Sequence, residues 1–296
     1  MKKISLVYIF CVFASMAFAQ NKELSPFYKA NLADASELEN LKADVENAFA
    51  DKSFELIGDY KPENRDGLRV LCFSRKDLSE LCLKSKDRGA LAAVLRVGIT
   101  QKEKETTLSL LNPNYVFCAY LSNYESDRPQ FDKITTDAKE ALSKLGGNLE
   151  TFGGSLSEKA LKKYHYKMMM PYFTDPVELN TFASFEEGLA TIRKNLKSGK
   201  GNTNLVYEQV FADEKVAVFG VGLMDAEEGE GHFLPIIGED QIAAMPYEII
   251  LQGKEVSMLH GKYRFALYWP ELTMGTFMKI MSTPGDVEDF LEGVTE

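Results

Sequence analysis

Three histidines, His165, His232 and His260, are the only imidazoles in the chain. Any histidine general base must therefore be one of these side chains. The sequence contains no Gly-x-Ser-x-Gly nucleophile elbow, no His-Glu-x-x-His zinc helix and no phosphate-binding loop. Carboxylates are plentiful, but their spacing does not tell which of them face one cleft. We predict no catalytic residue, and a hydrolase with carboxylate or histidine chemistry stays an alternative.

A histidine and three methionines lie close together between Tyr164 and Tyr172. Imidazole and thioether groups are ligands that Cu(I) prefers, which makes His165, Met168 and Met170 candidates for a copper site. Consecutive residues of a strand or helix cannot all face one ion, however, and methionine commonly fills irregular apolar gaps. We therefore expect no cofactor, and copper binding stays an alternative.

Aromatic residues are concentrated in the same short stretch, which ends at Phe173. The stretch is too apolar for a flexible linker, so we expect it to pack in a groove between two domains, where small ligands usually bind. The candidate ligand-binding residues are Tyr164, His165, Tyr166, Tyr172, Tyr247 and Glu248. The alternative is that this stretch simply fills the groove and holds the two domains together.

The two domains are indicated by an internal repeat. The run AAVLRVGITQ from Ala92 recurs as AAMPYEIILQ from Ala243, at an offset of 151 residues. The run LSLLNPNYVFCAY from Leu108 recurs as VSMLHGKYRFALY from Val256, at an offset of 148 residues. A repeat at this spacing predicts two tandem copies of one domain.

Local patterns predict a helix and then strands in each copy. Capping boxes at Ser36 and Ser184 precede apolar residues at helical spacing. Short runs rich in β-branched and aromatic residues predict two strands in each copy, and a hairpin follows them. These four predicted strands are 54–60, 68–74, 205–211 and 216–222.

The end of each copy carries a Tyr-x-Phe-x-x-Tyr block, beginning at Tyr115 and Tyr263. We predict that each block ends a third strand, with His260 in the preceding hairpin turn, and that a helix closes each copy. In the alignment of the two copies, Arg96 corresponds to Tyr247 and Val97 to Glu248. The predicted fold is α+β, with two tandem repeats, each a mainly antiparallel sheet with helices packed on one face.

The first nineteen residues have the features of a secretory signal peptide, because Lys2 and Lys3 precede an apolar run that ends at Ala17-Phe18-Ala19. We expect cleavage before Gln20 and a secreted or periplasmic protein. Removing the two lysines reduces the 34 basic residues to 32, against 44 acidic ones, a net charge of about −12. This charge argues against nucleic acid as a partner, and we expect no membrane insertion after signal cleavage.

Three cysteines, Cys72, Cys82 and Cys118, follow the predicted cleavage point. An odd number leaves at least one thiol unpaired within the chain. The repeat aligns Cys72 with Gly220 and Cys118 with Ala266, which favours small positions inside a core. A disulfide between Cys72 and either of the other two cysteines stays an alternative.

Five sequence runs carry a family resemblance: GALAAVLRVGIT from Gly89, YHYKMMMPYFTDPVEL from Tyr164, MPYEIIL from Met245, FALYWPEL from Phe265 and FMKIMSTP from Phe277. They resemble secreted bacterial proteins that contain paired copies of the domain of unknown function 302. The resemblance covers most of the mature chain and implies a compact α+β domain that pairs with a second copy. It implies no reaction and no catalytic residue.

These observations divide the chain into a signal peptide (1–19), a first α+β repeat (20–146), an ordered connector (147–180) and a second α+β repeat (181–296). The predicted function is non-catalytic binding, in a groove between the repeats, of a small ligand or of a protein partner from the cell envelope. A hydrolase and a copper-binding protein are the alternatives.

Overall fold

The computed structural model describes residues 22–32, 37–102, 105–166 and 169–296. The predicted signal peptide, Ser36 and Met168 lie outside these ranges. The helices and strands of the first half are β1 (Glu23–Leu24), β2 (Phe27–Leu32), α1 (Leu38–Ala50), β3 (Glu55–Tyr60), β4 (Leu68–Ser74), α2 (Lys76–Leu83), β5 (Leu95–Lys102), β6 (Glu105–Leu111), α3 (Pro113–Tyr120), α4 (Arg128–Ser143) and β7 (Glu150–Phe152).

The chain then continues through the connector into the second half. The remaining elements are β8 (Leu156–Ser157), α5 (Glu158–Leu161), β9 (Val177–Thr181), α6 (Phe185–Lys197), β10 (Thr203–Phe211), β11 (Val216–Leu223), α7 (Glu230–Ile237), β12 (Tyr247–Gln252), β13 (Glu255–Met258), α8 (Gly261–Tyr268), α9 (Met274–Phe277) and α10 (Thr283–Thr295). The structure thus confirms the predicted α+β class and, within one or two residues at each end, the four predicted strands.

The two main sheets have the same order of strands. The first sheet is β3-β4-β5-β6-β2-β7, the second is β10-β11-β12-β13-β9, and all neighbouring strands are antiparallel. In both halves a strand is followed by a long helix, then by two strands, a helix and a hairpin. The shared order is what an internal duplication would produce, and β7 is an additional edge strand.

Helices cover one face of each sheet. Helices α1 and α4 pack together on the first sheet, and α6 and α10 pack together on the second. The apolar side of α1 is buried as its spacing predicts, through Leu38, Leu41, Val45 and Phe49. None of the helices in the described ranges has the length and apolar character needed to cross a bilayer.

The other half of the molecule covers the second face of the first sheet. A 3-10 turn at Glu239–Ala244 packs against β5 and β6. Gly98 on β5 permits this approach, because a Cβ atom there would lie 2.6 Å from Cγ1 of Ile242. Every residue of β4 and of β11 is buried. Most residues of these two strands are apolar, and the strands lack the alternation of a half-exposed strand.

The prediction of a third strand at the Tyr-x-Phe-x-x-Tyr blocks was wrong, because the blocks form helices α3 and α8. All eight residues of α3 are buried, so the sequence has apolar residues on every side and lacks the one-sided period of a surface helix. His260 is the N-cap residue of α8 rather than part of a hairpin turn. Its Nδ1 accepts a hydrogen bond from the backbone N–H of Lys262 at 3.2 Å.

The strand register of the structure corrects one pair of equivalent residues in the sequence alignment of the two copies. Cys72 on β4 is paired with Arg96 on β5, and Gly220 on β11 is paired with Glu248 on β12. Because Cys72 and Gly220 correspond at the offset of 148 residues, Arg96 corresponds to Glu248 and not to Tyr247. The sequence alignment was wrong here because the second half has one more residue before its strand.

Corresponding residues meet where the halves pack together. Arg96 donates a hydrogen bond to Oε1 of Glu248 within a buried ion pair. The hydroxyls of Tyr120 and Tyr268, which correspond at the offset of 148 residues, lie 2.7 Å apart. In an interface between two symmetric copies, a residue meets its own counterpart only near the twofold axis. The interface of the two halves therefore resembles that of a symmetric dimer.

The three cysteines of the described chain are buried and have free thiols. Burial raises the pKa of Cys72 and of Cys118 to about 12, so both thiols are protonated at neutral pH. The core interpretation of Cys72, Cys82 and Cys118 is confirmed, and the structure contains none of the disulfides that the sequence left open.

Candidate functional site

A cleft of about 590 Å³ lies between the first half and the connector. One wall comes from the end of α3 and the turn that follows it, and the other comes from the connector. We call it the aromatic cleft, and it is lined by Ser85, Asp87, Cys118, Ala119, Tyr120, Leu121, Ser122, Tyr124, Glu125, Leu161, Lys162, Lys163, Tyr164, Tyr172, Phe173 and Thr174.

A hydrogen-bond network fixes the turn after α3. The hydroxyl of Ser85 donates to Oδ1 of Asn123 at 2.6 Å and accepts from the backbone N–H of Ser122 at 2.9 Å. The amide nitrogen of Asn123 donates in turn to Oδ2 of Asp127 at 2.7 Å. The wall that carries Tyr120 and Tyr124 is therefore held in place before any ligand binds.

Two of the wall tyrosines, Tyr120 and Tyr164, form hydrogen bonds inside the protein through their hydroxyls. The Tyr120 hydroxyl pairs with that of Tyr268, and the Tyr164 hydroxyl donates to the backbone oxygen of Ala266 at 2.8 Å. Burial raises the pKa of Tyr164 to about 12, so this phenol stays neutral at ordinary pH. The cleft therefore offers the hydrocarbon parts of these rings rather than their hydroxyls.

Phe173 packs the connector against the first half. Its ring stacks on Tyr120 with centroids 4.8 Å apart, and the Arg88 guanidinium lies 4.9 Å from its centroid. Arg88 also donates to the backbone oxygen of Phe173 at 2.8 Å. The neighbouring Tyr172 is 41% exposed and packs on the His165 ring at 4.4 Å. Tyr172 is thus the aromatic residue of the wall that is most accessible to a ligand.

The charges at the rim are mostly paired. Glu125 accepts hydrogen bonds from Arg128 and Lys162, which lower its pKa to about 2. Asp87 forms an ion pair with Arg88 at 2.9 Å. The exposed Lys163 ammonium has no ion pair or hydrogen bond within the described ranges. The Lys163 ammonium at the rim is therefore available to bind an anionic group of a ligand.

Tyr247 and Glu248, two of the candidate residues, lie in the interior and do not line the aromatic cleft. Glu248 accepts hydrogen bonds from Arg96 and, at 2.6 Å, from the Tyr207 hydroxyl. The Tyr247 ring lies 3.8 Å below the Arg264 guanidinium. Both residues therefore make stabilising contacts in the interior. Glu248 is not placed to act as the carboxylate of a hydrolase at this cleft.

Two of the copper candidates, His165 and Met170, have different neighbours in the structure. Met170 lines a second cleft together with Tyr166, His165 packs on Tyr172, and Met168 lies outside the described residues. Among the residues that the structure describes, no three His, Cys, Asp or Glu side chains are grouped to hold a metal ion.

Of the candidate residues, Tyr164 and Tyr172 line the aromatic cleft, whereas Tyr120, Tyr124 and Lys163 were not among the candidates. The recurrence of Tyr120 as Tyr268 was a usable signal. Because a strand was predicted around Tyr120, we expected its ring on the face of a sheet and did not expect it at a cleft. Lys163 carries no pattern in the sequence and is recognised only from its position at the rim.

Comparisons with known proteins identify no family for this chain. The sequence matches no protein-family model, and no curated protein is significantly similar to it. The resemblance to the family with paired copies of the domain of unknown function 302 therefore stays a prediction.

Proposed function

We propose that the protein is a non-catalytic binding protein that holds a small planar ligand with one negative charge in the aromatic cleft. We further propose that it acts outside the cytoplasm, as the signal-peptide pattern at its N-terminus predicts. The observation that carries the proposal is a wall of five aromatic side chains beside a lysine that has no ionic partner among the residues the structure describes. These residues are Tyr120, Tyr124, Tyr164, Tyr172, Phe173 and Lys163.

The size and the chemistry of the cleft support this ligand class. A volume of about 590 Å³ lies within the range of small-molecule sites, which are mostly apolar and have a few polar groups. Aromatic rings favour offset or edge-to-face contact with another ring. The Lys163 ammonium at the rim adds attraction for an anion, whereas the carboxylates of Asp87 and Glu125 already have cationic partners.

Calorimetric titration with naphthalene sulfonate tests the proposal. We expect saturable binding at one site per chain, and weaker binding of cyclohexane sulfonate, which has the same charge without an aromatic ring. Tyr172→Ala should weaken binding about three- to tenfold, because it removes an exposed ring contact. Lys163→Met should weaken binding about two- to fivefold, as expected for an exposed charge pair.

Lys159→Met is the matched control, because Lys159 is an exposed residue of α5 that does not line the cleft. It should bind naphthalene sulfonate like the unaltered protein. Equal affinity in the Tyr172, Lys163 and Lys159 variants would refute this site. Turnover of an ester or glycoside panel by the purified protein would instead favour the hydrolase.

A further inference from the structure

A second cleft, of about 310 Å³, lies on the other side of the connector, against α8 and α9. We call it the methionine cleft. Its apolar wall contains Tyr166, Met170, Phe265, Trp269, Met274 and Phe277.

The two clefts occupy corresponding places on the two halves. Ala266 and Trp269 line the methionine cleft, and they correspond at the offset of 148 residues to Cys118 and Leu121 of the aromatic cleft. Each cleft thus lies at the end of a corresponding helix, with the connector as its other wall. A shared position with different walls indicates two sites with different ligand chemistry.

The wall of the methionine cleft suits a flexible apolar chain. Methionine side chains are unbranched and polarizable, and they adapt to irregular apolar partners. Met274 at the mouth is 54% exposed, and Met278 and Met281 further along the chain are 56% and 59% exposed. A contiguous exposed apolar patch commonly marks an interaction site.

One charged residue, Lys262, belongs to the lining of this cleft among the described residues. It is exposed and lies in the first turn of α8. An ammonium beside an otherwise apolar wall favours an anionic end on the ligand and disfavours a bound cation.

We propose that the methionine cleft binds the alkyl chain of an amphipathic monocarboxylate, with the carboxylate at Lys262. The cleft, at about 310 Å³, is at the lower end of the range of small-molecule sites. A chain of medium length fills this volume, and each buried methylene group contributes favourably to binding. This site is separate from the aromatic cleft, so either proposal can fail without the other.

Fluorescence of the single tryptophan tests the proposal, because Trp269 lines the cleft. Titration with decanoate should change the emission of Trp269 in a saturable way. Decyltrimethylammonium, with the same chain length and the opposite charge, should bind more weakly, and acetate should not bind. Lys262→Met should weaken decanoate binding about two- to fivefold and should leave the binding of decanol unchanged or tighter.

Met274→Glu places a carboxylate at the mouth of the cleft and should weaken decanoate binding about tenfold or more. Met169→Glu is the control, because Met169 is 96% exposed and does not line the cleft. Equal affinity of the two variants for decanoate overturns the proposal, as does equal binding of decyltrimethylammonium. Absence of decanoate binding together with stabilisation by Ag(I) that Met170→Leu abolishes would assign the cleft to a soft metal instead.

Discussion

At the scale of single residues, the Arg96–Glu248 pair is the most heavily buried ion pair of the interface between the halves, with side chains 1% and 3% exposed. Removing two charges from water is costly, so such a pair contributes little net stability. The pair instead makes the two halves complementary to each other. Two copies of the first half would bring two arginines together at this point, and two copies of the second half would bring two carboxylates together.

Loss of one partner should therefore be far more damaging than loss of both charges. Arg96→Met leaves a buried carboxylate and should lower the free energy of unfolding by about 3–5 kcal/mol. Arg96→Met with Glu248→Gln should recover most of this loss, since glutamine still accepts a hydrogen bond from Tyr207. Urea unfolding measures both effects.

Arg65→Met is the control, because Arg65 forms a more exposed pair with Glu239. It should cost no more than about 1 kcal/mol. A double variant as unstable as Arg96→Met alone would contradict this view of the buried pair.

Glu230 is a second buried charge of interest and predicts a pH effect. It is fully buried, and burial raises its pKa from 4.5 to about 8 although Tyr60 and the backbone of Leu223 donate hydrogen bonds to it. Between these two pH values the folded chain retains a proton that the unfolded chain has lost. The contribution of Glu230 to stability is therefore complete below pH 4.5 and is lost as the pH rises to 8.

Glu230→Gln should remove this dependence. From about pH 5 to pH 8 the unaltered protein should lose about 3 kcal/mol more unfolding free energy than the variant does. The exposed Glu228→Gln should behave like the unaltered protein. Parallel stability curves for the Glu230 variant and the unaltered protein would show that this carboxyl ionises normally.

At the scale of elements, the pairing of α3 with α8 defines where the halves meet and where both clefts begin. The two helices are joined by the Tyr120–Tyr268 hydroxyl pair at 2.7 Å and by a hydrogen bond of 2.6 Å from the Tyr115 hydroxyl to the backbone oxygen of Leu267. Buried hydroxyls need partners, since an unsatisfied polar group costs about 1–3 kcal/mol. The two tyrosines should therefore be coupled.

A double-mutant cycle tests this coupling. Tyr120→Phe and Tyr268→Phe should each lower the unfolding free energy by about 1–2 kcal/mol, because each leaves one buried hydroxyl without its partner. The double variant should lose no more than either single variant. Additive losses would mean that the two hydroxyls do not stabilise each other.

Most elements could be predicted from the sequence because their signals are local. Strand β4 and helix α1 follow from runs of suitable residues, and the capping box at Ser184 is confirmed by its hydroxyl, which accepts from the N–H of Glu187 at 3.2 Å. Helix α3 could not be identified by periodicity because it is buried on every side, and α8 has only Lys262 exposed. Pro113 at the first turn of α3 was the available signal.

The candidate site could be predicted only in part, since a cleft depends on contacts between distant parts of the chain. Composition identified the connector, and Tyr164 and Tyr172 do line a cleft. The interior position of Glu248 depends on strand register and on Arg96, which is 152 residues away. Neither the strand register nor the contact with Arg96 can be predicted from a local sequence pattern.

At the scale of the whole molecule, two halves with one strand order are packed like a symmetric dimer. The connector packs on both of the corresponding helices, through Phe173 on Tyr120 and through Tyr164 on Ala266. Connector residues line two clefts, one with aromatic walls and an exposed lysine, the other with apolar walls and methionines. Because corresponding positions have diverged in chemistry, we infer that the two halves serve different ligands on a shared frame.

A crystal structure of the protein with bromonaphthalene sulfonate tests whether the aromatic cleft is a ligand site, because anomalous scattering from bromine locates the ligand without ambiguity. We expect the ring against Tyr172 and Tyr164 in the aromatic cleft, with the sulfonate within hydrogen-bonding distance of Lys163 Nζ. A bromine peak elsewhere on the molecule, or an empty aromatic cleft at saturating ligand, would contradict it.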